Sequence, residues 1–263
     1  EIGRWMDVNG EAIYGTSASP YAYGFDWGSV TQKGNTLYLM FTRWPGEAFT
    51  LHGLRSKVRG ARLLADPNQA IVVAQKRDED MDHDVLELRL PIDAPDEHVS
   101  VIALELDGSA NVELLPLQQP DGTINLLATM ADLHVPNRGS QISVSPGGII
   151  QNWYNKRNWV RWRFKVTEPR EFSVKVVTGT LRHVPDWKGG HRISVSVAGN
   201  VIEGEIREDE KIETPQARYF PQVSTNFGRV PIDSPGVYEL KVRAEEISAD
   251  APSGFTLASV QLE

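Results

Sequence analysis

The sequence of 263 residues contains no cysteine. Disulfides, thiolate nucleophiles and cysteine-ligated zinc are therefore excluded. No apolar run approaches the roughly 20 residues of a membrane-spanning helix, so no membrane partner is expected. No signal-peptide pattern opens the chain, and its first residue is Glu1 rather than Met. The phosphate-cradling G-x-x-x-x-G-K-[ST] and G-x-G-x-x-G strings are missing, as is the G-x-S-x-G elbow of serine hydrolases. The six histidines, His52, His83, His98, His134, His183 and His191, show neither H-E-x-x-H nor H-x-x-x-H spacing. No metal ligand is assigned, and most of them read as surface residues. There is also no excess of basic charge: the net charge is −8, and residues 1–125 carry ten Lys/Arg against nineteen Asp/Glu. Residues 126–263 carry seventeen against sixteen. Phosphate binding needs a clustered basic face, so nucleic acid is set aside as a partner, and the change of balance points to a boundary near residue 125.

What the chain does contain, from residue 28 onward, is period-two hydrophobicity broken by frequent turn residues, with no helical stretch of ten residues. Strands are predicted at 29–33, 36–44, 48–51, 61–64, 70–75, 85–90 and 99–106, with Gly34-Asn35 turning the first hairpin. Seven short strands in about eighty residues suit an antiparallel sandwich. Pro91, Pro95, Pro116 and Pro120, with Asp121-Gly122, mark an exit and a linker over 111–125. In the second half Val160, Trp162, Phe164 and Val166 alternate with Trp159, Arg161, Arg163 and Lys165, as on a strand with one buried face. Further strands read at 172–177, 192–197, 201–206, 236–242 and 255–262. The expectation is an all-β fold: one sandwich over 21–110 and a second, jelly-roll-like one over 126–263.

Residues 1–20 differ from this pattern. Ile2, Trp5 and Met6 recur at helical spacing, and Asn9-Gly10 is a stop signal, so the segment reads as the end of a helix running into a Gly-rich loop. The string Ile2-Gly3-x-Trp5, followed by Asn9-Gly10-Glu11-Ala12-Ile13-Tyr14-Gly15-Thr16, resembles the segment that closes the catalytic barrel in the α-L-fucosidases of glycoside hydrolase family 29. Trp27-Gly28-Ser29-Val30-Thr31, Lys33-Gly34-Asn35-Thr36-Leu37-Tyr38, Trp44-Pro45, Leu54 and the 86–91 strand resemble that family's C-terminal β-sandwich. The order of strands in the second half resembles the carbohydrate-binding-module-like domains appended to bacterial glycosidases.

The resemblance implies a short helix left over from a missing (β/α)8-type barrel, which would be this chain's partner within one polypeptide. It implies a retaining exo-glycosidase that releases terminal α-L-fucose and needs no cofactor, with fucosylated glycans as partners and a periplasmic or secreted location. Both catalytic carboxylates of such enzymes lie upstream of this segment, so no catalytic residue is assigned here. A stand-alone carbohydrate-binding or adhesion module, or a purely structural scaffold, are the alternatives.

Three places invite chemistry. Glu11 lies in the fucosidase-like string, but a carboxylate beside Asn9-Gly10 also suits bonding to exposed backbone amides. The acidic run 78–84 lacks the spacing of a calcium loop, with His83 and Arg89 where Gly and Glu belong, and reads as a charged, mobile hairpin. Sugars stack their C–H faces on flat rings beside polar side chains, which makes Trp153, Tyr154, Asn155, Trp159, Arg161 and Trp187 the candidate carbohydrate contacts. The competing reading of the same rings is that they seal a core edge or an interface.

Overall fold

The computed structural model describes residues 2–136, 142–181, 187–212 and 221–263. Two compact units divide the chain, Glu1–Pro120 and Asp121–Glu263. The first opens with helix α1 (Ile2–Asn9) and holds β1 (Gly28–Lys33), β2 (Thr36–Phe41), β3 (Ala48–His52), β4 (Val58–Leu63), β5 (Val72–Asp78), β6 (His83–Arg89) and β7 (Ser100–Leu106). The second holds β8 (Ile124–Leu127), β9 (Asp132–His134), β10 (Ser143–Val144), β11 (Ile150–Trp153), β12 (Trp159–Val166), β13 (Arg170–Gly179) and β14 (Arg192–Val197). It continues with β15 (Asn200–Glu205), β16 (Glu210–Ile212), β17 (Gln222–Ile232), β18 (Gly236–Glu246), β19 (Phe255–Leu257) and β20 (Ser259–Leu262). All strand pairings between them are antiparallel, as expected of the all-β class, and no described helix is long and apolar enough to cross a membrane.

In the first unit a four-stranded sheet in the order β1-β2-β7-β4 accompanies a three-stranded one in the order β3-β6-β5. Leu37, Leu39 and Phe41 of β2 are buried on one face, and Phe41 meets Phe49 of β3 edge-on at 4.8 Å, so the core lies between the sheets. The other face of β2 is buried as well: Tyr38 and Met40 join Val101, Ala103, Leu64 and Ala12 in a second cluster that Trp5 of α1 covers. A strand covered on both sides reads as a continuous apolar run, which is what Leu37-Tyr38-Leu39-Met40-Phe41 is. The Trp5 indole N–H donates to the Val99 carbonyl at 2.7 Å and ties the helix down.

The stretch read as a linker is built into structure. Glu113 N–H donates to the Gly53 carbonyl at 2.8 Å, Leu117 and Gln118 are buried, and Ile124 already lies in a ladder with Leu262. The acidic run is likewise held: Arg77 reaches Glu79, Asp82 and Asp84, and Arg55 bridges Asp82 to Glu113. Two guanidinium groups thus pair with three of the run's five carboxylates, Glu79, Asp82 and Asp84.

The second unit packs two five-stranded sheets, β15-β14-β18-β12-β9 and β16-β17-β13-β20-β8. Val160, Trp162 and Phe164 from one and Phe172, Val174 and Val176 from the other share one core. Trp162 crosses that core to donate its indole N–H to the Leu127 carbonyl at 2.7 Å, joining β12 to the end of β8 in the opposite sheet. The segment predicted as one strand over 255–262 is broken at Ala258: β19 joins a small sheet in the order β10-β11-β19, and β20 enters the five-stranded one.

Candidate functional site

Glu11 does not bond to backbone amides as expected. Its carboxylate pairs with the Arg62 guanidinium from β4. A carboxylate committed to an arginine on a sheet is a structural tie, and the segment that follows it is laid along β1 by Thr31 Oγ1–H donating to the Ala12 carbonyl and Lys33 to that of Tyr14.

The six candidate carbohydrate contacts fall in three environments. Trp153 ends β11 with no exposed surface, its ring 5.1 Å from Phe255. It presents no face to solvent and drops out of any platform, because β11 turns this side chain inward. Its indole Nε1 has no hydrogen-bond partner among the described residues. Asn155 serves a turn, its side-chain oxygen accepting from the Arg157 N–H at 2.9 Å and its carbonyl from Asn158 N–H at 3.0 Å.

Tyr154 and the cleft that holds Trp187 both border the segment Pro252–Gly254. Tyr154 is exposed, and its hydroxyl donates to the Pro252 carbonyl at 2.8 Å. Gly254 takes φ +67°, and a Cβ there would stand 2.6 Å from the Trp153 carbonyl and 2.9 Å from the Tyr154 ring, so only glycine lets the ring close over this bend. Trp187 is half-buried, donates its indole N–H to Thr178 Oγ1 at 2.9 Å and lines a shallow cleft with Thr180, Lys188 and Ser253. Asp186, its expected polar neighbour, lies outside the described residues, as does His183.

Trp159 and Arg161 stand on the outer face of the β12 sheet. Register sets their neighbours: Trp159 lies opposite His134 of edge strand β9 on one side and Arg243 of β18 on the other. The His134 and Trp159 rings stack at 4.3 Å with 19° between planes. From the β18 side, Lys241 Nζ lies 4.6 Å from the indole centroid and Arg243 Cζ 5.7 Å, with Arg161 Cζ at 6.0 Å. The indole is thus a slab between an imidazole and cations rather than an open platform. Arg161 is held by Asp132 at 3.2 Å and Glu239 at 3.0 Å, and Lys241 lies 3.5 Å from Glu239. Arg243 has no carboxylate partner among the described residues.

Sequence reasoning missed His134 as a member of this row, since it read the histidines singly. The cross-strand pairing that aligns it needed the register. It also took most histidines for surface residues, whereas His83 and His191 are buried. Burial pushes the His191 imidazole below its ordinary pKa, and Nδ1 accepts the Ser248 N–H at 3.2 Å.

No protein-family model matches the chain, and no curated protein matches it. Among solved structures, an α-L-fucosidase from Vibrio sp. strain EJY3 superposes with a TM-score of 0.74 at 24% identity, over 99% of this chain and 44% of that enzyme. The α-L-fucosidase isoenzyme 1 from Paenibacillus thiaminolyticus is 36% identical over 40% of this chain and 25% of its own, with a TM-score of 0.32. The chain spans less than half the length of these enzymes, and it has the fold of part of an α-L-fucosidase.

Proposed function

We propose that the chain is the non-catalytic C-terminal accessory region of an α-L-fucosidase of the family 29 type, with a glycan-holding second unit of jelly-roll type. The catalytic barrel, on this reading, belongs to the same polypeptide and precedes α1. The parent enzyme would release terminal α-L-fucose with retention, outside the cytoplasm, using two carboxylates about 5 to 5.5 Å apart that this chain does not supply. The observation that carries the reading is the single superposition running through both units, 99% of the chain, onto 44% of a fucosidase. Ile2 and Val8 support it: both are exposed, and they line a groove with Trp5, Pro95 and His98, a surface suited to further polypeptide.

Two measurements test this. The purified chain should release no 4-nitrophenol from its α-L-fucoside, and turnover by the chain alone would place catalysis within it. Sequencing the coding region upstream of the Glu1 codon should reveal a barrel with its Asp and a second carboxylate, and a stop codon immediately upstream would sink the reading. The burial of Trp153 and the covered faces of Trp159 favour a structural role for those two rings, so glycan contact falls to Tyr154, Trp187 and the groups around Trp159.

A further inference from the structure

The row on the outer face of the β12 sheet has a chemistry of its own. Within it stand Arg161, Arg163, Lys241 and Arg243, against the carboxylates of Asp132 and Glu239. Both carboxylates are taken by Arg161, and Glu239 also by Lys241, while Glu245 accepts the Ser194 hydroxyl at 2.7 Å. Arg243 is exposed and lies over the Trp159 ring, with no carboxylate partner among the described residues. Around the Trp159 ring three cations, Arg161, Lys241 and Arg243, face two carboxylates, Asp132 and Glu239, a local excess of one, while Glu203 and Glu205 of β15 lie with Arg192 of β14 farther across the same face. The indole holds the cations upright by cation–π attraction and lowers the entropy cost of presenting them. His134 is exposed on edge strand β9, so the stack moves the accessible ring face outward from Trp159 to the imidazole.

We propose that this face binds an acidic glycan, its sulfate or uronate groups meeting Arg243 and Lys241 and a sugar ring lying against His134. The proposal rests on the reading of the second unit as a glycan-holding module and names the ligand class. An arginine without a carboxylate partner offers a planar fork that bonds two oxygens of a carboxylate or sulfate together. A neutral glycan would leave the surplus unmatched, and an isolated anion would make no use of the ring.

The test uses the whole chain in affinity electrophoresis and calorimetry with four probes: a sulfated fucan, its chemically desulfated form, polygalacturonate and a neutral fucosylated oligosaccharide, with polyphosphate as control. At least one acidic glycan should bind tenfold or more tightly than desulfated fucan, and binding should weaken as salt rises. Preference between the sulfated fucan and polygalacturonate identifies sulfate or carboxylate as the group recognised. The double variant K241Q/R243Q should lose at least tenfold in that affinity with an unchanged melting temperature. R243K should retain part of it. Equal binding of polyphosphate, or full acidic-glycan affinity in K241Q/R243Q, overturns the proposal. Neutral-oligosaccharide binding that survives the double variant, with no acidic glycan bound, also overturns it and leaves the accessory reading standing. Failure to bind any of the saccharides overturns the proposal and removes the glycan-holding role of the second unit, while the accessory-region reading stands on its own tests.

Discussion

Trp153 and Trp162 form a natural experiment: two fully buried tryptophans in one unit, of which only Trp162 has a hydrogen-bond partner for its indole N–H among the described residues. Replacing each by Phe removes a similar volume and leaves an aromatic ring, so the transfer and cavity costs largely cancel in the comparison. What remains is the hydrogen bond. Trp162→Phe deletes the 2.7 Å bond to Leu127 that joins the two sheets. Trp153→Phe deletes a buried donor that has no partner among the described residues and so relieves a desolvation cost. A lost buried hydrogen bond and a removed orphan each amount to about 1 to 3 kcal/mol, with opposite signs, so Trp162→Phe should be the costlier by about 2 to 6 kcal/mol.

For a unit the size of Asp121–Glu263, each kcal/mol displaces Tm by roughly 3 °C, so the variants should separate by roughly 6 to 18 °C in scanning calorimetry. The transition of the first unit serves as an internal reference that neither change should move. Equal melting of the two variants, or a lower Tm for Trp153→Phe, would refute the reasoning and show that the Trp153 N–H is satisfied.

His191 is held neutral by burial, with its pKa pushed below the ordinary value, so the unfolded state binds the proton more readily. The second unit should therefore lose stability as pH falls below about 6.5 toward the lowered value, and melts of wild type and His191→Phe across pH 5 to 7.5 should diverge only in that window. Arg77→Ala removes the cation shared by Glu79, Asp82 and the buried Asp84, and limited proteolysis should then cut within 78–84 where the parent resists. Unchanged resistance would assign the ordering to Arg55. Trp5→Ala cuts the bond to Val99 and uncovers Tyr38, Met40 and Val101, so light scattering should show association that the parent chain lacks. A monodisperse variant would mean that the sheet face stays covered without Trp5.

Where local pattern carries the information, the sequence was legible. Alternation placed β12 with Trp162 inward and Trp159, Arg161 and Arg163 outward, and Gly34-Asn35 turned the β1–β2 hairpin. The longest omission is β17, whose Ser224, Thr225 and Asn226 hide the period. Thr225 is buried because its hydroxyl donates to the Arg207 carbonyl and satisfies itself, and a register shift between Val174 and Lys175 breaks the pairing beside Gly228. Long-range partners were beyond any window: Trp5 finds Val99 across 94 positions. The ion pairs of the acidic run were legible only in part. Its neutralising Arg77 stood next to it, but the second cation, Arg55, comes from before β4.

The cation row and the core of the second unit depend on the same register. Side chains alternate with a period of two, so a one-residue slip of β12 would turn Trp162 to solvent and drive Arg161 between the sheets. The pairs Trp162 with Leu240 and Arg161 with Lys241 are therefore two faces of one alignment, the first supplying burial and the second the charge. The outer face is free to vary in chemistry because the inner face fixes position. Substitutions at Lys241 or Arg243 can change what the surface binds while Leu240 and Val242 hold the strand in place. A change at Trp162 acts on both faces at once, through the sheet that carries them.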